Sequence, residues 1–377
     1  MNRRRFLVDA MAWGVGSTPL CASLQACSSA QENGTTHIAL LGQIVIRRAV
    51  DEVTWPGRPA LQARLADADV VFANLESVVD GPRPGTPTRA LLTLHAAKAS
   101  ALRTLSALHV NLLGTANNHA FDLGSDGIRN TLEALRRAGI PTAGTGEKLS
   151  VAAAPAYVAT SGRQTAVVAF ATGMLRPGAA AGPDHIGVNE LRRHADGRPH
   201  EEDRQRILCA IRAAAKRADV VIACHHNHDR GPGHEAVPDW QRDFAHQCID
   251  AGAAVFAGHG VPVLQGIEIY RAAPLFFGLG NFMFQVAKPV GAYEEGTWEG
   301  VMALCAFKNR WCEHVRLIPV VLNEVACDGS VEAGDRGLPT LASPSQADAI
   351  LARIGARCAA FGTSVSLLSH EGIVTID

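Results

Sequence analysis

The chain has 377 residues, 47% of them hydrophobic and 5% aromatic, and carries a formal charge of −1 at pH 7. That is enough apolar material for a sizeable core in one large domain or two small ones, in proportions ordinary for an α/β protein. A near-neutral chain without basic runs argues against a nucleic-acid partner, and nine cysteines without paired metal-type spacing argue against a cysteine-ligated zinc module.

Residues 1–36 read as export signal and tether rather than as part of a domain. Arg3-Arg4-Arg5-Phe6-Leu7 resembles a twin-arginine signal, and Leu24-Gln25-Ala26-Cys27 resembles a bacterial lipobox with Cys27 as the acylated new N-terminus. The apolar run between them falls short of the roughly 20 residues that a membrane-spanning helix needs. The expectation is a protein exported to the periplasmic or extracellular face of a bacterial envelope, lipid-anchored at Cys27 and touching the membrane through that lipid alone. Residues 37–377 then form the folded domain. Cys209, Cys248 and Cys358 read as small core hydrophobes on helices, and pairing of Cys305 with Cys312 is left open.

Residues 37–46 read as a first buried strand with a glycine turn, 61–65 as the start of a short helix, and 68–73 as a strand that delivers Asn74 and Glu76 at its end. The Gly- and Pro-rich stretch 81–87 must be irregular and could overhang a site. Residues 95–108 are expected to be helical, with Leu102, Leu105 and Leu108 on one face. From Asn111 a buried strand leads into a turn crowded with Asn117, Asn118, His119 and Asp122. Polar groups at the carboxyl end of a buried strand line the ligand crevice in open α/β sheets. The competing account is that Asn117 and Asn118 merely cap the turn and that Asp122 or Ser125 caps the next helix, which carries Ile128, Leu132 and Leu135 and stops at Gly139.

Residues 141–146 form a glycine-rich turn without the Lys and Ser/Thr spacing of a phosphate-binding loop. A hairpin follows, 157–159 and 165–171 across Ser161-Gly162, and then a long loop over 172–200 in which His185 and His194 read as solvated. A helix over 201–217 feeds a strand over 219–223, and Cys224-His225-His226-Asn227-His228-Asp229 follows it. On extended chain His226 and His228 share one face and His225 takes the other. After a helix over 238–251, a strand over 253–257 ends in Gly258-His259, and another over 274–278 ends in Gly280-Asn281. Strands over 301–307 and 314–322 are expected to pair antiparallel at a sheet edge, followed by a helix over 346–361 and a terminal strand over 372–376. Six of the fifteen histidines (His225, His226, His228, His234, His246, His259) fall within positions 225–259. Imidazole, carboxylate and amide oxygens converging from several strand ends are what a hydrolytic site for borderline divalent metals needs.

Asn74-Leu75-Glu76, Ala116-Asn117-Asn118-His119 with Asp122 and Gly124, the histidine knot, Gly258-His259, and Gly278-Leu279-Gly280-Asn281-Phe282 together resemble the ordered motifs of the CapA family. The resemblance spans residues 37–286. That family is associated with poly-gamma-glutamate capsule synthesis, and its fold resembles the calcineurin-like metallophosphoesterases. The resemblance implies two stacked mixed β-sheets flanked by helices, a metallophosphatase-like four-layer sandwich, and the strand–helix alternation independently suggests an α/β domain. It implies one or two divalent ions (Mn, Zn, Fe or Mg) on Glu76, Asn118, His226, His228 and His259, with His119 protonating a leaving group and Asp122 orienting it. Asn281 would brace loops around the site.

Two positions depart from the family pattern. Gln43 stands where an Asp ligand is commoner, and Pro262 where a further His is expected, so the two-metal set is incomplete. The implied function is a cell-surface component of capsule biosynthesis with a metal-dependent phosphoesterase-type site. Its substrate would be a phosphoester or an anionic polymer, and its partners membrane synthase or export components. The alternative is a non-catalytic component with a degenerate metal site that binds or helps export an anionic polymer.

Overall fold

The computed structural model describes residues 34–50, 55–229, 233–325 and 336–376, so the export signal, the lipobox and Cys27 lie outside the described residues. The first strand starts at Thr35, which takes the last two residues of the expected tether into the sheet.

Two mixed sheets face each other. In the larger, the buried runs Thr35–Val45, Val70–Leu75 and Val110–Gly114 lie side by side and parallel. Glu299–Lys308 and Trp311–Leu322 extend this sheet antiparallel on the other flank. In the smaller, Arg163–Thr172, Val220–Asn227, Val255–His259 and Ala273–Phe276 run parallel, with Ala156–Thr160 antiparallel at the edge. Near-continuous burial along the central parallel strands is what coverage on both faces demands. Ile38, Leu40, Phe72 and Leu112 from one sheet meet Val167, Ile222, Cys224 and Val255 from the other in a shared inner core. Outside the larger sheet, Leu61, Leu65, Leu102, Leu105 and Leu135 of three helices cover Val71, Ala73 and Leu113. Outside the smaller, Ile207, Ile211, Phe244 and Cys248 of two helices cover Val168, Val221 and Phe256. Helix, sheet, sheet and helix make the four layers expected from the sequence.

Several local expectations are corrected. The stretch from His95 does not start a helix: Ala96–Lys98 is a strand parallel to Val78–Asp80, and the α-helix begins only at Leu102. Tertiary hydrogen bonds decide this, since the Asp122 carboxylate accepts from the His95 N–H at 2.9 Å and the His95 carbonyl accepts from Val78 N–H at 2.9 Å. Those bonds outweigh the helix propensity of the alanines. Ser125 does not cap its helix, because Gly124 (φ +64°) already opens it and leaves Ser125 inside the first turn. The pair Glu299–Lys308 and Trp311–Leu322 is not the edge, for a hairpin of Val365–Leu368 and Glu371–Val374 lies beyond it. Cys209 is exposed on its helix, whereas Cys248 and Cys358 are buried; Cys305 and Cys312 are free thiols.

Candidate metal centre

Every central parallel strand of both sheets releases its chain at the same end of the inner core, and the polar knots of the sequence meet there. Val70–Leu75 hands over Glu76, and Val110–Gly114 leads to Asn118 and His119. Val220–Asn227 runs on through the histidine knot, carrying His225 and His226 as strand residues with His228 just beyond. Glu76 Oε1 is the meeting point: His226 Nε2 lies 3.6 Å away, His228 Nε2 3.8 Å and His119 Nε2 3.9 Å. Asn118 Oδ1 is 2.9 Å from His226 Nε2. The alternation of extended chain has the expected consequence, for His225 points to the opposite face, pairs with Thr172 Oγ1 at 3.0 Å and stacks on Phe170.

His119 is fixed by its other nitrogen. Nδ1 lies 2.7 Å from Asp122 Oδ2, while Asp122 Oδ1 accepts from Arg89 Nε at 2.7 Å. Arg89 Nη2 also donates to the Asn118 carbonyl at 2.7 Å, so one guanidinium ties together the residues on either side of His119. Asn117 stitches the turn, donating to the Leu75 carbonyl at 2.7 Å and accepting from the His119 N–H at 3.0 Å. The turn-capping account thus fits Asn117, whereas Asn118 faces the cluster.

Burial dominates the protonation states. It lowers the His119 pKa to about 3 against a partly offsetting attraction from Glu76, and holds His95 and His226 well below the ordinary imidazole range. The same burial pushes the Asp122 carboxyl upward, opposed by the His95 N–H and Arg89. His95, His119 and His226 are therefore neutral at pH 7. In His119 the proton sits on Nδ1, toward Asp122, and the Nε2 lone pair faces Glu76.

The donor set fits a borderline divalent cation. Glu76 Oε2 and both ring nitrogens of His228 are buried and have no hydrogen-bond partner. Leaving such atoms unpaired costs roughly 1–3 kcal/mol each, and a cation shared by carboxylate and imidazole removes that cost. Asn74 Nδ2 lies 3.1 Å from His226 Nδ1 while Asn74 Oδ1 has no partner. A half-turn of that amide would let Nδ1–H donate to Oδ1, leaving Nε2 as the ligand atom. Glu76, His95 and His119 also bring ligand atoms within 4.8 Å of one another. The rings of His95 and His119 are stacked, however, with centroids 3.6 Å apart and planes at 12°. Nearly parallel rings cannot aim both lone pairs at one ion, so of the two groups Glu76, His226 and His228 are the better suited to hold a cation.

His259 lies beside His226 in strand register. Its Nε2 is 3.2 Å from the Leu41 carbonyl and its Nδ1 3.9 Å from Cys224 Sγ, so both ring nitrogens have protein partners. Gln43 Oε1 accepts from the Gly260 N–H at 2.9 Å. Asn281 donates to the Thr297 carbonyl at 2.8 Å, bracing a loop. Two residues of the centre escaped the sequence reading: His95, hidden in an apparent helix start, and Arg89, whose only signal was its place after the Gly/Pro-rich loop.

The family model for bacterial capsule synthesis proteins matches residues 37–286, which takes in every strand end described above. The chain belongs to that family. An uncharacterised protein of Sinorhizobium fredii is 27% identical, covering 91% of this chain and 94% of that one. The PGA biosynthesis protein CapA of Bacillus subtilis is 29% identical over 65% of this chain and 62% of its own length. A probable polyglutamine synthesis accessory protein of Mycobacterium tuberculosis is 30% identical over 60% of this chain. Among solved structures, a phosphatase from Mycoplasma pneumoniae aligns with a TM-score of 0.44 at 12% identity, covering 76% of this chain and 94% of that one. No helix among the described residues is long and apolar enough to cross a membrane.

Proposed function

We propose that this protein is a cell-surface component of capsule biosynthesis of the poly-gamma-glutamate type, carrying a hydrolytic centre for phosphoesters that works with one divalent cation. The observation that carries the reading is the convergence of three imidazole Nε2 atoms within 4 Å of Glu76 Oε1, beside buried donors that lack any partner. Glu76, Asn118, His226 and His228 would hold the ion, and Mn, Zn, Fe or Mg each suit nitrogen and oxygen donors of this kind. When bound, the ion supplies Lewis-acid polarisation of a phosphoryl oxygen. Support for one ion rather than two comes from the engagement of His259 and Gln43 with backbone groups, and from Pro262, whose side chain has no donor atom.

His119 manages the proton at Nε2. Without substrate the ring is neutral, and an anionic phosphoester arriving beside Nε2 raises its proton affinity, because the charged ring then gains an opposite charge. Asp122 fixes the tautomer and Arg89 fixes Asp122, so a proton held at Nε2 points at the leaving oxygen. Export through a twin-arginine signal and lipidation at Cys27 would place this centre at the envelope, within reach of a membrane synthase or export apparatus that handles the polymer.

A second reading is a non-catalytic component that binds or helps export an anionic polymer. The hydrogen bond from Gly260 to Gln43 favours it, since it closes one half of the crevice with neutral groups. Metal content by plasma mass spectrometry separates the two, read together with hydrolysis of bis(p-nitrophenyl) phosphate. About one ion per chain and measurable hydrolysis, both lost in a Glu76→Ala/His226→Ala variant, are expected. Equal and negligible metal in both proteins would remove the hydrolase reading.

A further inference from the structure

Between Arg89 and His95 the chain makes a short arch whose two feet stand in the centre. Arg89 grips Asp122 and the Asn118 carbonyl, and His95 stacks on His119 and binds Asp122. At the apex, on the single turn Leu91–Thr93, Leu91 and Leu92 are 71% and 57% exposed. Arg89 Nη2 also reaches the Met174 carbonyl at 3.3 Å, and the Met174 side chain is 58% exposed.

Met174 is tied to the centre from the other sheet as well. It follows Gly173, where an added Cβ would come within 2.8 Å of Asp229 N, and the neighbouring Thr172 carbonyl accepts the His228 N–H at 2.8 Å. Met174 itself sits at φ +54°, a left-handed conformation unfavourable for its side chain. Neither loop is slack. Thr88 donates from N to the Asp122 carbonyl and from Oγ1 to the Phe121 carbonyl, and Asn130 bonds the Arg83 backbone in both directions. Backbone whose anchors stand in the polar centre thus holds three large apolar side chains in water, where they add nothing to the core.

Size and charge narrow the occupant. Three such side chains offer at most a few hundred Å², well under the roughly 800 Å² per partner of a stable protein interface but ample for an alkyl chain. Arg83 and Arg176, on the same two loops, are exposed and add positive charge that favours an anionic amphiphile over a neutral one.

We propose that Leu91, Leu92 and Met174 form a rim that holds the apolar chain of an amphiphilic phosphoester whose anionic head reaches Glu76, His226 and His228. This rests on the phosphoester reading of the centre. The test is calorimetric titration of the full chain, supplied with Mn²⁺, with methylphosphonate and with octylphosphonate. Octylphosphonate is expected to bind at least about tenfold tighter, a difference of about 1.4 kcal/mol. A Leu91→Ser/Leu92→Ser/Met174→Ser variant should bring it down to the affinity of methylphosphonate, and Leu92→Ser alone should lose part of the preference. Equal binding of the two phosphonates, or a preference that survives in the triple variant, overturns the rim while the centre stands. Binding of neither, in wild type as in Glu76→Ala, overturns the phosphoester reading and the rim with it. Sedimentation with phosphatidylcholine vesicles supplies the last arm: binding that the triple variant abolishes, without a phosphonate preference, would assign the rim to the bilayer surface and overturn the substrate role.

Discussion

On the Glu76 side of the crevice, strand ends deliver a carboxylate and imidazoles whose lone pairs are left over: Glu76 Oε2 and both nitrogens of His228 have no partner. On the Gln43 side, strand ends in equivalent places deliver side chains already engaged with backbone, Gln43 Oε1 accepting from the Gly260 N–H and His259 Nε2 lying 3.2 Å from the Leu41 carbonyl. Burial is the same on both sides, so position does not separate them. What separates them is unmet hydrogen-bonding capacity, which folding alone does not repay on the Glu76 side. Unpaired carboxylate and imidazole atoms gathered at one point suit a cation, whereas the same groups bonded to backbone brace the fold.

The comparison breaks most readily at Glu76. Glu76→Ala should lower bound metal from about one ion per chain to near zero and hydrolysis by at least about a thousandfold, since the ligand shared by every imidazole of the cluster is gone. Next comes Asp122→Asn. It should leave metal content in place and cut turnover by about a hundredfold or more, because the amide no longer enforces the Nδ1–H tautomer of His119. Stopped-flow or steady-state hydrolysis beside plasma mass spectrometry reads both variants. Loss of metal in Asp122→Asn would merge roles that the geometry keeps apart.

A smaller effect is expected from His95, whose ring touches His119 but aims no lone pair at the cation position. His95→Phe keeps the stack and should cost only a few fold in kcat. His95→Ala removes it and should cost about tenfold, with metal content unchanged in both. If His95→Phe instead lost metal, His95 would be a ligand and the second cluster real.

How far the sequence carried follows from the same chemistry. Period and polarity placed the parallel strands and the facing of His226 and His228 against His225, because alternation in an extended chain is local geometry. Glu76, Asn118 and Asp122 were legible as polar groups at strand ends. His95 was not, since a tertiary bond to Asp122 makes its backbone extended against the preference of the neighbouring alanines. Nor was Arg89, which acts through a loop whose path depends on contacts about 30 positions away. The state of His259 was equally hidden: a histidine at a strand end looks the same whether its nitrogens face a cation or a carbonyl.

Acid should weaken the fold through the buried histidines on both sides. His119 and His225 titrate near pH 3 in the folded chain and His259 near 4, against about 6.5 unfolded. Above pH 6.5 neither state takes the proton, and the groups are silent. Below it the unfolded chain binds protons that the folded chain refuses, so stability falls with falling pH by on the order of 1 kcal/mol per unit for each histidine until its folded pKa is reached. Urea unfolding of chelator-treated protein should show midpoints that hold level from pH 7.5 to about 6.5 and then drop steadily to pH 5. A profile flat down to pH 5 would mean that these rings are open to solvent.

The smallest expected effect sharpens the comparison most. Gln43→Asp restores a carboxylate on the closed side, yet the shorter side chain withdraws from the Gly260 N–H and His259 still has its backbone partner. Metal content should therefore stay at about one ion per chain, and stability should drop by about 1–3 kcal/mol for the lost buried bond. A rise toward two ions would show that His259 leaves the Leu41 carbonyl once a carboxylate stands nearby. The closed half would then be a second cation position held shut by one amide, and satisfied hydrogen bonding would cease to mark a structural residue at this crevice.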